Sequence, residues 1–157
     1  MITLHKFNEL GKGKYGWLNA NYHFSFASYY NPSNTRLNSL RVLNHDFISP
    51  HKGFDTHPHN DMEIITYVIS GALTHVDSMG NERTLRDGGV QYMSAGTGVY
   101  HSEYNNEDEV LELLQMWIFP NEKGLTPNYG DVQYTKKDRN NRMFQIVSGN
   151  KNEADIV

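Results

Sequence analysis

Four side chains in this sequence have the types and the spacing to hold a transition-metal ion. They come as two pairs, His57-Pro58-His59 and His101-Ser102-Glu103. On an extended strand, side chains two apart point to the same face. Each pair can therefore reach a single point. An antiparallel fold that brings the pairs together offers three imidazoles and one carboxylate to one ion. A nitrogen-rich donor set with one carboxylate suits Fe, Ni, Cu, Mn or Zn rather than Ca or Mg. With eight histidines in 157 residues, one His-x-His pair is unremarkable, and an isolated histidine is by default a surface or hydrogen-bonded residue. Context singles these out. His57-x-His59 leads into the apolar run Ile64-Ile65-Thr66-Tyr67-Val68-Ile69, ended by Gly71, and the second pair follows the turn-rich Ser94-Ala95-Gly96-Thr97-Gly98. His5, His23, His45, His51 and His75 show no spacing that argues for chemistry. The acidic run Glu107-Asp108-Glu109 reads as a solvated loop face.

The elements that must position these pairs are short strands. Residues 1–16, with glycines at 11, 13 and 16, read as an entry strand and loop. Trp17 to Phe26 alternates loosely, and Leu37 to Ile48 contains the strand-like Leu40-Arg41-Val42-Leu43. After Pro50 comes the first ligand loop, then a strand over Met62 to Ile69, too short and β-branched for a helix. Ala72 to Asp77, Glu82 to Arg86 and Val90 to Met93 follow as strands, separated by Ser78-Met79-Gly80-Asn81 and Asp87-Gly88-Gly89. Val99 to Tyr104 carries the second pair, and Val110 to Phe119 is a buried strand ended by Pro120. Residues 121–142 are polar and read as a long surface connection. Met143 to Ser148 looks like the beginning of another strand. Short, closely spaced strands without helical periodicity predict an all-β barrel or sandwich.

Composition narrows the function. The length allows one domain with a real core, and 17 Tyr and Phe residues lean it towards β structure. A net charge of −4 gives no electrostatic footprint for nucleic acid or an anionic membrane. Without cysteine there are no disulfides and no thiolate ligands, so a metal must be held by nitrogen and oxygen. No apolar run is long enough to span a bilayer and no signal-peptide pattern is present. A cytoplasmic protein is the expectation.

The motifs also carry a resemblance. Gly53-Phe54-Asp55-Thr56-His57-Pro58-His59 with Met62-Glu63-Ile64-Ile65-Thr66-Tyr67 resembles the first metal motif of the pirins. Gln91 and Met93-Ser94-Ala95-Gly96-Thr97-Gly98, then His101-Ser102-Glu103, resemble their second. Gly16-Trp17-Leu18, Phe24-Ser25-Phe26-Ala27, Tyr29-Tyr30 and Leu40-Arg41-Val42-Leu43-Asn44 are similar too. Pirins belong to the cupin superfamily of small β-barrels, and typical members carry two barrels, with the metal in the first. The resemblance implies a cupin (double-stranded β-helix, jelly-roll) barrel over 1–142, and 143–157 as the start of a truncated second barrel or a tail. It implies His57, His59, His101 and Glu103 as ligands, usually to iron. In many other cupins the carboxylate ligand stands in the place of Glu63, which shares strand parity with the two histidines and would face the metal if no bulge intervenes. Glu103 and Glu63 are thus the candidate general bases.

By resemblance, the implied activity is oxidative opening of the central ring of a flavonol, as in quercetin 2,3-dioxygenases. Phe54, Met93, Tyr100 and Trp117 are possible wall residues, each with a competing place in the core. The rival reading is a non-catalytic iron-binding regulator, since animal pirins are described as transcriptional cofactors. A closed structural metal site is the third reading. A missing second barrel would leave an apolar face and the strand-like Phe144-Gln145-Ile146-Val147 unpaired, so a homodimer is expected.

Overall fold

The computed structural model describes residues 4–143, 145–150 and 156. After a 3-10 turn at Phe7–Glu9 come the strands β1 (Gly11–Lys14), β2 (Leu18–Tyr22), β3 (Leu40–Ile48), β4 (Lys52–His59) and β5 (Glu63–Ser70). They are followed by β6 (Ala72–Asp77), β7 (Glu82–Arg86), β8 (Gly89–Ser94), β9 (Val99–Asn105), β10 (Leu111–Ile118), β11 (Asn128–Gln133) and a one-turn helix, α1 (Lys136–Arg139). One sheet runs β1-β2-β3-β10-β5-β8-β11 and the other β4-β9-β6-β7, with antiparallel neighbours throughout.

Alternation decides what each strand contributes to the interior. On β3 every second residue is buried: Val42, Asn44, Asp46 and Ile48. On β9 the inward row is Val99, His101, Glu103 and Asn105. The core is therefore of two kinds. Leu18, Ala20, Tyr22, Ile48, Val68, Leu73, Leu85, Leu111 and Leu113 pack as one apolar cluster. Beside it lies a buried polar layer, with Thr66, His75, Gln91, His101, Glu103 and Gln115 each less than a tenth exposed. Such groups are tolerated in a core only when they bond one another or a ligand.

Two readings of the sequence need correction. The stretch after Pro50, expected as a loop leading to the first ligand pair, is already strand β4, which has no fully buried residue along it and so no apolar run to mark it. The expected surface connection contains β11, which pairs with β8 from Asn128↔Ser94 to Gln133↔Gly89, and the capped helix α1, where Thr135 and Asp138 form a capping box. An edge strand as polar as Asn-Tyr-Gly-Asp-Val-Gln gives little periodic signal. Phe144 of the expected terminal strand lies outside the described residues. Val147 makes an isolated parallel bridge to Ile156, and Ile146, Val147 and Ile156 pack with Val90 and Tyr134 against the outward side of the larger sheet. Among the described residues no helix is long and apolar enough to cross a membrane.

Candidate metal centre

β9 is the strand on which the site is built, because it pairs on both sides. Against β4 it sets His101 directly opposite His57 and Glu103 opposite Phe54. Against β6 it sets Glu103 opposite His75 and His101 opposite Asp77. The β4 register shifts between Phe54 and His57, so the strand bulges just before the first ligand pair. Bulges re-aim side chains. Here the bulge lets the His57 Nδ1–H donate to the Asp55 carbonyl at 2.7 Å. That bond fixes the tautomer and leaves the Nε2 lone pair of His57 free.

Three imidazoles converge. Ring centroids lie 4.4 Å apart for His57 and His101, 4.9 Å for His57 and His59, and 4.9 Å for His59 and His101. One nitrogen from each lies within 4.8 Å of the other two. Burial and the neighbouring imidazoles push His59 down to about 4 and His101 down to about 3. Both rings are thus neutral near pH 7, the form that binds metals. Nε2 of His101 is buried without a hydrogen-bond partner, as a nitrogen facing a metal position would be.

Glu103 sits at the same place from the other direction. It forms a second compact group with His75 and His101, again within 4.8 Å. The Gln91 amide donates to Glu103 Oε1 at 2.9 Å and the Gln115 amide to Oε2 at 2.8 Å. The Trp117 indole N–H in turn donates to Gln115 Oε1 at 3.0 Å. His101 belongs to both groups, and the structure does not close His57, His59, His101 and Glu103 into one group at that distance. Glu103 and His57 do share the wall of one cavity of about 190 Å³. Phe26, Phe54 and Trp117 supply its flat apolar surfaces, while Asn44 and Asp46 line its polar part. Oδ1 of Asn44 and Oδ1 of Asp46 are buried and unpartnered. Burial, with the charge of Glu103 nearby, pushes the Asp46 carboxyl up to about 7.

The structure removes Glu63 from the site. Its carboxylate accepts hydrogen bonds from the Tyr92 hydroxyl and, at 3.0 Å, from Ser94. Thr66, three residues along β5, reaches Glu103, so Glu63 falls on the opposite face by alternation. The parity count from His59 fails because Asp61, at φ 46°, breaks the extended chain between the two strands. Of the expected wall residues, Phe54 and Trp117 line the cavity. Tyr100 is 59% exposed, and Met93 packs in a core cluster with Ile64 and Val99. His75, Asn44, Asp46, Gln91 and Gln115 also belong to this buried polar layer, and spacing to the two ligand pairs does not reveal them. The available signal was parity: His75-x-Asp77 and Asn44-x-Asp46 are also two-apart polar pairs on strands.

Comparison with known proteins bears on the family and the fold. The family model for pirin matches residues 4–118. A pirin-like protein of Caulobacter vibrioides is 48% identical over the whole chain, which spans 68% of that protein. A quercetin 2,3-dioxygenase of Escherichia coli is 52% identical over 130 residues, covering 82% of this chain and 56% of that one. The crystal structure of the bacterial pirin YhhW from Escherichia coli in complex with nickel(II) superposes with a TM-score of 0.83 at 49% identity, over 86% of this chain and 59% of that one. The fold is thus that of the cupin barrels, and the chain spans between about half and two thirds of the length of these relatives.

Proposed function

The chain belongs to the pirin family, and on that footing we propose that it is a metal-dependent oxygenase of the quercetin 2,3-dioxygenase type, holding one divalent ion on His57, His59, His101 and Glu103. The observation that carries this reading is the convergence of three imidazoles within 4.8 Å beside an apolar cavity that Glu103 also lines. The donors fit such an ion: lone-pair nitrogens, one carboxyl group and no sulfur. Iron is the resident metal we assign, and nickel(II) is the ion named with the relative of known structure.

An ion bound there would acidify the flavonol 3-hydroxyl and hold substrate beside O2. The chain's own residues do the rest. Glu103, steadied by Gln91 and Gln115, takes the hydroxyl proton as general base. Phe54 and Trp117 present flat apolar surface to an aromatic ring. Asn44 and Asp46 offer buried oxygens without donors, and leaving such groups unsatisfied costs free energy. A polyphenol brings hydroxyl donors to them, as an unsubstituted aromatic does not. A closed structural site fits less well, because a cavity opens beside His57 and Glu103.

The test is turnover. Protein loaded anaerobically with iron is mixed with quercetin and air, and the flavonol absorbance band and O2 uptake are followed. The expected result is loss of the band that requires both metal and His101. Loss that is independent of metal, or no loss, would contradict the oxygenase reading and favour a non-catalytic iron-binding regulator.

A further inference from the structure

We propose that Asp77 and His75 act as a relay that fixes the tautomer of His101, so that its Nε2 lone pair points at the metal position. The inference rests on His101 being a metal ligand and goes beyond that assignment to two residues on β6. Asp77 and His75 are side chains with no exposure at all, and their ring nitrogen and carboxylate oxygen are 3.0 Å apart. His75 Nδ1 then lies 3.4 Å from His101 Nδ1. The line ends at His101 Nε2, buried and unpartnered.

The direction of every hydrogen bond follows from the end groups. Asp77 is an acceptor on all sides. Its Oδ1 takes the backbone N–H of Met79 at 2.9 Å and of Asn81 at 3.0 Å, and its Oδ2 takes the Asn81 amide at 2.9 Å. His75 must therefore donate from Nε2, which leaves its Nδ1 as the acceptor. His101 must in turn donate from Nδ1, which leaves Nε2 with a lone pair. The other end of the line requires the same direction. A proton on His101 Nε2 would be a buried donor without an acceptor, a costly arrangement, whereas a lone pair there is a ligand. The same logic separates the two compact groups. His75 has both nitrogens engaged, so it positions His101 and does not itself bind the ion. Tyr129 stacks on the His75 ring, with centroids 4.7 Å apart and planes 20° apart, which holds the ring in the orientation the relay needs. Carboxylate partners of this kind orient metal-binding histidines widely. Here the carboxylate acts through a second imidazole.

The proposal is tested first on unaltered, metal-free protein. With 15N-labelled histidine at pH 7.5, long-range 1H–15N correlation reports which ring nitrogen carries the proton. The expected pattern is a proton on Nε2 of His75 and on Nδ1 of His101. A proton on Nε2 of His101 would overturn the relay, whatever the metal does. Variants then test the consequence through nickel(II) affinity, read by competition with a chelator. In Asp77→Asn the oxygen is kept facing the two backbone N–H groups, so the amide NH2 faces His75 and reverses the chain. The proton of His101 is then expected to move to Nε2, and affinity to fall about 10- to 100-fold. His75→Leu is expected to lose a similar factor. His75→Gln, whose amide can donate to Asp77 and accept from His101, is expected to stay within about 3-fold of wild type, a rescue that simple packing does not explain. His101→Ala is the control. If it loses nickel while Asp77→Asn and His75→Leu bind normally, the relay is wrong and the ligand assignment stands. If it binds like wild type, the ligand assignment is wrong.

Discussion

Neutral, buried imidazoles leave a signature in how stability depends on pH. In the unfolded chain His59 and His101 take protons near 6.5, whereas in the folded metal-free protein burial delays this to about 4 and about 3. Between those values the unfolded state holds more protons, so these two residues make the fold less stable as pH falls below 6.5. Asp46 acts in the opposite sense. Its carboxyl is raised from 3.8 to about 7, so its neutral form suits the fold. Stability is unaffected below the unfolded value and is lost as pH rises towards 7. Asp46→Asn removes this loss. Relative to wild type, the metal-free variant is expected to gain roughly 2–4 kcal/mol between pH 4 and pH 7, read from urea unfolding at the two values; a pH-independent difference would contradict it. Replacing His57 or His101 by Ala is expected to leave less than about a tenth of the wild-type metal content by elemental analysis. The residues behind these predictions were unequally legible. The two His and His/Glu pairs stood out because both members share one strand. His75, Gln91 and Gln115 did not, because they meet His101 and Glu103 from other strands, His75 from the neighbouring β6 and the two glutamines from β8 and β10 of the facing sheet, and spacing within one strand carries no information about register or about which strands face each other.

At the scale of elements, the site depends on how closely β4 approaches β9. Gly53 marks one close approach: a Cβ there would lie 2.2 Å from the Glu103 carbonyl oxygen and 2.6 Å from the Tyr104 Cα. Both are backbone atoms that cannot swing aside. Gly53→Ala is therefore expected to prise the strands apart, to destabilise the protein by about 2–3 kcal/mol and to weaken metal binding, because His57 faces His101 across this seam. Thermal unfolding with a chelator competition reads both effects, and a variant with wild-type affinity would show that the seam does not position the ligands. The strands that bury one face, such as β5 and β10, announced themselves by β-branched and apolar residues. β4 and β11 did not. Their hydrogen bonds to a partner strand make them strands, and neither has an apolar face long enough to show as a pattern.

Over the whole molecule, the outward side of the larger sheet presents apolar surface among the described residues. Ile65, Tyr67, Val90, Leu114 and Met116 form an apolar groove there, with Ile146 and Val147 along it. Part of that face is covered by Tyr134, Ile146, Val147 and Ile156. Burying the remainder against a second copy is the simplest closed solution, and light scattering on a size-exclusion column is expected to give twice 18.1 kDa. A mass near 18.1 kDa at high protein concentration would contradict this. The central claim, that one ion is held between β4 and β9, is tested most directly by anomalous diffraction from crystals soaked in nickel(II). A single strong peak is expected within coordination distance of His57, His59, His101 and Glu103, with His75 outside it. A peak ligated by His75, or none near His101, would contradict it.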